Sequence, residues 1–143
     1  MSGAALQARA AVLAMTVEAE AAVLRPRDPG AWSHALRAAL AARSARLHGL
    51  DDLAEGYAAT ASGDPAASLA DPAEDGAALG LVHVARFMDR VAAAPRDVTA
   101  ADIAGLQAAG VADADIVRLA ELNAFLAYRF RLAVGLRLLE AAE

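Results

Sequence analysis

VTAADIAGLQAAGVADADIVRLAELNAFLAYRFRLAVGLRLL, residues 98–139, is the stretch on which the fold class turns. Ile116, Leu119, Asn123, Leu126, Phe130, Val134 and Leu138 recur every three or four residues, the repeat of one helix face. The spacing predicts a final helix from about Ala114 to Leu139, capped by Asp113. Just upstream, Thr99 caps a shorter helix whose third residue, Asp102, puts a carboxylate at its positive end. Ile103 and Leu106 are its core contacts, and Gly110 ends it.

The same periodicity extends towards the N-terminus. A helix is predicted over Ala77–Ala94, with Leu81, Val84, Phe87, Met88 and Val91 on its apolar side and Pro95 as its stop. Ser62–Gly76, with Gly63, Pro65, Pro72 and several acids, reads as a loop or mobile connector. A short helix runs from Asp51 or Asp52 through Tyr57 to Ala59. Ser33 caps a helix over His34–His48 with Leu36, Leu40 and Leu47 as its stripe, and Gly49 suits a left-handed cap. Ala4–Leu24 forms the first helix, with Leu6, Ala10, Leu13, Val17 and Leu24 at its core positions. No segment alternates as a strand would. The expectation is a single all-α domain over residues 1–143, with about six helices.

Composition removes whole classes of chemistry. The 143 residues include no cysteine. Disulfide scaffolds, thiolate nucleophiles and thiolate metal sites are therefore excluded. All 13 basic side chains are arginine, so Schiff-base chemistry through lysine is excluded as well. A net charge of −5 argues against a general nucleic-acid binder. Alanine accounts for 43 residues and aromatics for only 4%. Such a core gains little area per residue and relies on close helix approach, which predicts an apolar face for self-association. Apolar runs are interrupted by charge well short of a membrane span. Residues 1–16 read as an amphipathic helix and not as a leader, so a cytoplasmic protein is expected.

The C-terminal pattern resembles a known family. The order Val98-Thr99-Ala100-Ala101-Asp102-Ile103, Leu106, Ala109-Gly110-Val111, Asp113, Ile116-Val117, Ala124-Phe125-Leu126-Ala127-Tyr128 and Arg131-Leu132-Ala133-Val134-Gly135-Leu136 carries it. It is similar to the C-terminal half of the carboxymuconolactone decarboxylase and AhpD-like alkylhydroperoxidase superfamily, in particular its peroxidase-related branch. Ala39-Leu40-Ala41 through Leu47-His48-Gly49 resembles the helix before that family's active-site turn, and the likeness spans about residues 32–139. The thiol-using members place a Glu one helix ahead of a Cys-x-x-Cys-x-x-x-His motif. One thiolate attacks the peroxide, the second resolves the sulfenic acid, and Glu and His relay protons. Carried onto this chain, the two Cys positions fall on Leu50 and Leu53, the His position on Tyr57 and the Glu position near Ala38. The resemblance thus implies the AhpD-like helical fold without its thiol mechanism. It also implies a homodimer or larger ring, with a Cys-containing paralogue as partner in antioxidant defence.

Two functional readings follow. In one, Leu50, Leu53 and Tyr57 plug the former site and the protein is a binding or structural homologue. In the other, His48, Glu55 and Tyr57 perform acid–base chemistry on a small lactone or carboxylate. The histidines His34, His48 and His83 are widely spaced, so a metal site would need them to converge with Glu55 or Asp89; no metal and no cofactor is expected. Arg37, Arg43 and Arg46 read either as a cationic patch or as a solvated face. Asn123 reads as a satisfied buried amide. Arg131 reads as an ion-pair or interface residue, and Met15, Met88 and the aromatics as core.

Overall fold

A helix made largely of methyl side chains can be packed on every face. The computed structural model, which describes residues 3–142, uses the helix His34–Leu47 in this way. The described residues form six α-helices and no strand: α1 (Gly3–Leu24), α2 (His34–Leu47), α3 (Asp51–Ala61), α4 (Val82–Ala93), α5 (Ala100–Ala108) and α6 (Asp113–Ala141). The protein is all-α. From Leu36 to Ala45, every residue of α2 is buried. Helix α3, a short 3₁₀ helix over Pro65–Ala70, α4, α6 and α1 all pack around it. Ala38, Ala41, Ala42 and Ala45 let these neighbours approach closely. The larger core side chains, Leu40, Leu69, Met88, Leu106, Leu119, Leu122 and Leu126, fill the space between them.

The helix ends follow local chemistry. Ser33 Oγ accepts from Leu36 N at 3.1 Å. Gly49 takes φ +68°, which lets Leu50 N reach back to Ala45 O at 2.9 Å and close α2. Asp102 accepts from Thr99 N at 2.8 Å, the reciprocal arm of a capping box. Asp113 is not the cap of α6; it lies in the first turn and accepts from Gln107 Nε2.

Three expectations are corrected here. Arg37 and Arg43 are neither a surface patch nor a solvated face, because both are buried. Arg37 donates to the carbonyls of Val23, Pro29 and Trp32, which fixes the α1–α2 connection. Arg43 grips Asp89 with two nitrogens at 2.6 and 2.8 Å and donates to the carbonyls of Leu69, Asp71, Pro72 and Glu74. Arg46 adds Ala70 O at 2.6 Å. The segment 62–76 is therefore a clamped strap containing a 3₁₀ helix. A guanidinium fork supplies the donors that its irregular backbone lacks. Likewise, Ala77–Leu79 is a separate 3₁₀ turn between left-handed Gly76 and Gly80, so α4 begins at Val82.

The long helices also outrun the core. Val134 and Leu138 continue the α6 stripe but are exposed, because 29 residues extend about 44 Å. On α1 the covered stripe runs through Leu13, Thr16, Glu20, Val23 and Leu24, while Ala10, Val17 and Met15 face outward. The Leu6 side chain lies outside the described residues. Tyr128 is exposed as well; its hydroxyl and Thr16 Oγ1 share a hydrogen bond of 2.7 Å that ties α1 to α6. Among the described residues, no helix is long and apolar enough to cross a membrane.

Candidate functional site

Glu55 and Tyr57 are two positions apart on α3, so their side chains leave the helix roughly 200° apart. Glu55 points outward and pairs with Arg46 at 3.4 Å. Tyr57 points inward and is buried. His48 follows α2, where its Nδ1 bonds Ser44 O at 2.8 Å and its ring tilts against Phe130 at 5.0 Å. The carbonyl can only accept, so Nδ1 carries the proton and Nε2 is the free ring nitrogen. His48 and Tyr57 line two different clefts, and Glu55 lines neither. The three residues are not brought together, and acid–base chemistry shared among them has no common substrate position.

The first cleft, about 320 Å³, opens between α1, α2, α3 and α6. Glu20, Arg25, His34, Asp52, Tyr57 and Arg129 supply its polar groups, and Leu24, Ala38 and Leu53 its apolar wall. His34 Nε2 bonds Pro26 O at 2.9 Å, leaving Nδ1 free. The Tyr57 hydroxyl is buried without an ordinary hydrogen bond, and Glu20 faces it. Burial first, and then the Glu20 carboxylate, push its pKa well above the ordinary phenol value, while Arg129 pulls it back in part. Tyr57 is thus a neutral donor and not a base. The sign for stability follows from that direction. The raised folded-state pKa means that Tyr57's contribution is fully present below the unfolded value near 10, and is lost as pH rises beyond it. Denaturant unfolding at about pH 9 and about pH 11 should show a steeper alkaline loss for the native chain than for Tyr57→Phe. Parallel losses would rule out a Tyr57 contribution.

The second cleft, about 470 Å³, lies between the C-terminal end of α2, α4, α5 and α6. Its walls are mainly apolar, with Ser44, His48, Asn123 and Arg131 as the polar members. Asn123 is buried, and its amide reaches Met88 Sδ at 3.0 Å. Arg131, read from sequence as an ion-pair or interface residue, is exposed and has no ion-pair partner among the described residues. The sequence reading missed this cleft. Its one signal was small residues, Ala120, Ala124 and Ala127, along a single face of α6. Among the described residues, no three His, Asp or Glu side chains converge as metal ligands.

No family model matches the chain, and no curated protein or solved structure matches it.

Proposed function

We propose that the chain is a cysteine-free relative of the carboxymuconolactone decarboxylase and AhpD-like alkylhydroperoxidase superfamily that acts by binding and carries out no thiol chemistry of its own. It is a cytoplasmic homo-oligomer working beside a Cys-containing paralogue in antioxidant defence. One observation carries the reading: Leu50 is the N-cap of α3 and Leu53 lies in its first turn. That is where a Cys-x-x-Cys pair gains thiolate character from the helix end. Leu53, Ala38 and Tyr57, at three of the four positions carried over from the resemblance, line one cleft. Leu50, at the fourth, is buried and belongs to the core, but does not line that cleft. Three apolar side chains and a neutral phenol thus occupy positions where the thiol mechanism would need two thiols, a carboxylate and an imidazole. The split between His48, Glu55 and Tyr57 weighs against the acid–base alternative.

The test restores the thiols. The native protein should consume no organic hydroperoxide in the presence of a thiol reductant. The reduced Leu50→Cys/Leu53→Cys variant should consume hydroperoxide, its two thiols supplying the two electrons and closing an intrachain disulfide that the thiol reductant reopens. Turnover by the native chain would overturn the thiol-free reading. A variant whose thiols stay apart would overturn the placement. The self-association part rests on Val12, Met15 and Val17 of α1 with Val134, Leu138 and Leu139 of α6, all exposed. Light scattering on the same sample should report a multimer.

A further inference from the structure

The second cleft is independent of the thiol positions and of the family reading, and its lining sets a few polar groups among apolar walls. Its walls come from four elements: Phe87 and Val91 of α4, Val98 before α5, Ile103 of α5, and Phe130 of α6. The α6 face that looks onto it carries Ala120, Ala124 and Ala127, so the space is left open where larger side chains would close it. Such a cleft is large enough for a small molecule, and its walls are mainly apolar.

Two polar stations interrupt this surface. At one end, the exposed Arg131 guanidinium has no ion-pair partner among the described residues. Its neighbour along α6, Phe130, holds the His48 ring, whose Nε2 is free. A planar fork that is always charged, next to an apolar slot, is the complement of a carboxylate. One helical turn further in is Ser44. It is completely buried, it lines the cleft, and its hydroxyl has no hydrogen-bond partner. A buried hydroxyl left unpaired is costly, and a ligand oxygen would supply the missing partner. Buried Asn123 lines the same cleft, and its contact to the weak acceptor Met88 Sδ leaves hydrogen-bonding capacity in the amide.

We infer that this cleft binds an apolar hydroxy acid. The carboxylate sits at Arg131 and His48, a hydroxyl near the head of the chain meets Ser44 and Asn123, and the hydrocarbon lies against Phe87, Val91, Val98 and Ile103. A surface patch covered by another chain would not require the unpaired serine inside it.

Calorimetric titration with 3-hydroxydecanoate, decanoate and decan-1-ol tests each station. Binding should weaken in that order, each step several-fold. Arg131→Gln should cost the two acids about tenfold, the scale of one charge-assisted contact. It should leave decan-1-ol unchanged. Ser44→Ala removes a hydroxyl that bonds nothing in the free protein, so the fold should persist, and 3-hydroxydecanoate should lose most of its advantage over decanoate, Asn123 keeping the rest. Ala127→Phe, at an exposed position on the cleft wall, should abolish binding of all three with helicity unchanged. No binding of 3-hydroxydecanoate by the native chain would overturn the site. Full binding by the folded Ala127→Phe variant would put the ligand elsewhere. An acid preference untouched by Arg131→Gln, or a hydroxyl preference untouched by Ser44→Ala, would overturn the assigned chemistry.

Discussion

Replacing Arg43 with methionine is expected to cost about 3 kcal/mol of stability, the lower end of the scale for breaking a buried ion pair from one side, because Asp89 keeps part of its side chain in water. The reason is what is left behind. Asp89 loses both of its guanidinium contacts, and the carbonyls of Leu69, Asp71, Pro72 and Glu74 lose their donor. Methionine replaces the volume but supplies no hydrogen bond. Thermal unfolding should drop by roughly 10 °C or more for a chain of this size. Arg43→Lys should recover little, because an ammonium is a point charge and cannot present a planar fork to five partners. Amide exchange should accelerate first across residues 65–76, before the helices are affected. Adding Asp89→Leu to Arg43→Met should return part of the loss, since the stranded carboxylate is then gone. A loss below about 1 kcal/mol for Arg43→Met would mean that water replaces the arginine freely, and that buried Leu69 and the Arg46 bond to Ala70 O hold the strap without it.

The contrast between this arginine and its reading from sequence shows where sequence reasoning stops. Helix boundaries are written in local chemistry. Ser33, Gly49, Thr99 with Asp102, and Pro95 each act within a few residues, and each expectation placed a boundary close to the observed one. Periodicity succeeded for α4 and the first half of α6, where one face meets the core and the other meets solvent. It failed for α2, which has no solvent face to contrast with. When a helix carries small or apolar residues on every face, as α2 does from Leu36 to Ala45, the helical repeat carries no sign of which direction is inward. Arg37 and Arg43 then look like any charged face, and only the carbonyls of distant segments reveal them as internal. The same limit applies to residues 62–76. Gly, Pro and acidic residues correctly announced irregular backbone, but the order imposed on it comes from α2.

The clefts divide along similar lines. Ala38, Leu53 and Tyr57 share one cleft. His48, Glu55 and Tyr57 were grouped because they are near in sequence. The 200° between Glu55 and Tyr57, and the capping turn after α2, separate them in space. The second cleft depends on Ser44 meeting Asn123 and Arg131 from a helix about eighty residues away. No spacing rule connects those positions.

Trp32 carries the other large expected effect. It is the only tryptophan, it is buried at the head of α2, and its Nε1 donates to Asp115 O at 2.8 Å across to the first turn of α6. Its own carbonyl accepts from Arg37 Nε, and the preceding Ala31 N is held by Asp115 Oδ1 at 3.0 Å. One side chain thus joins the α1–α2 connection to the start of the longest helix, next to a turn where Gly30 sits at φ +62° against Asp115 and Arg118. In an alanine-rich core this ring is one of the few large side chains. Trp32→Ala should therefore approach the upper end of the 3–5 kcal/mol range for emptying a large aromatic site. Trp32→Phe refills most of the volume and leaves Asp115 O without its donor, so about 1–3 kcal/mol is expected. Denaturant unfolding followed by circular dichroism measures both, since the variants have lost the fluorophore. A Trp32→Phe loss equal to that of Trp32→Ala would mean that the hydrogen bond to Asp115 dominates. Two small losses would mean that α1 and α6 hold the joint without the indole, through Thr16 and Tyr128.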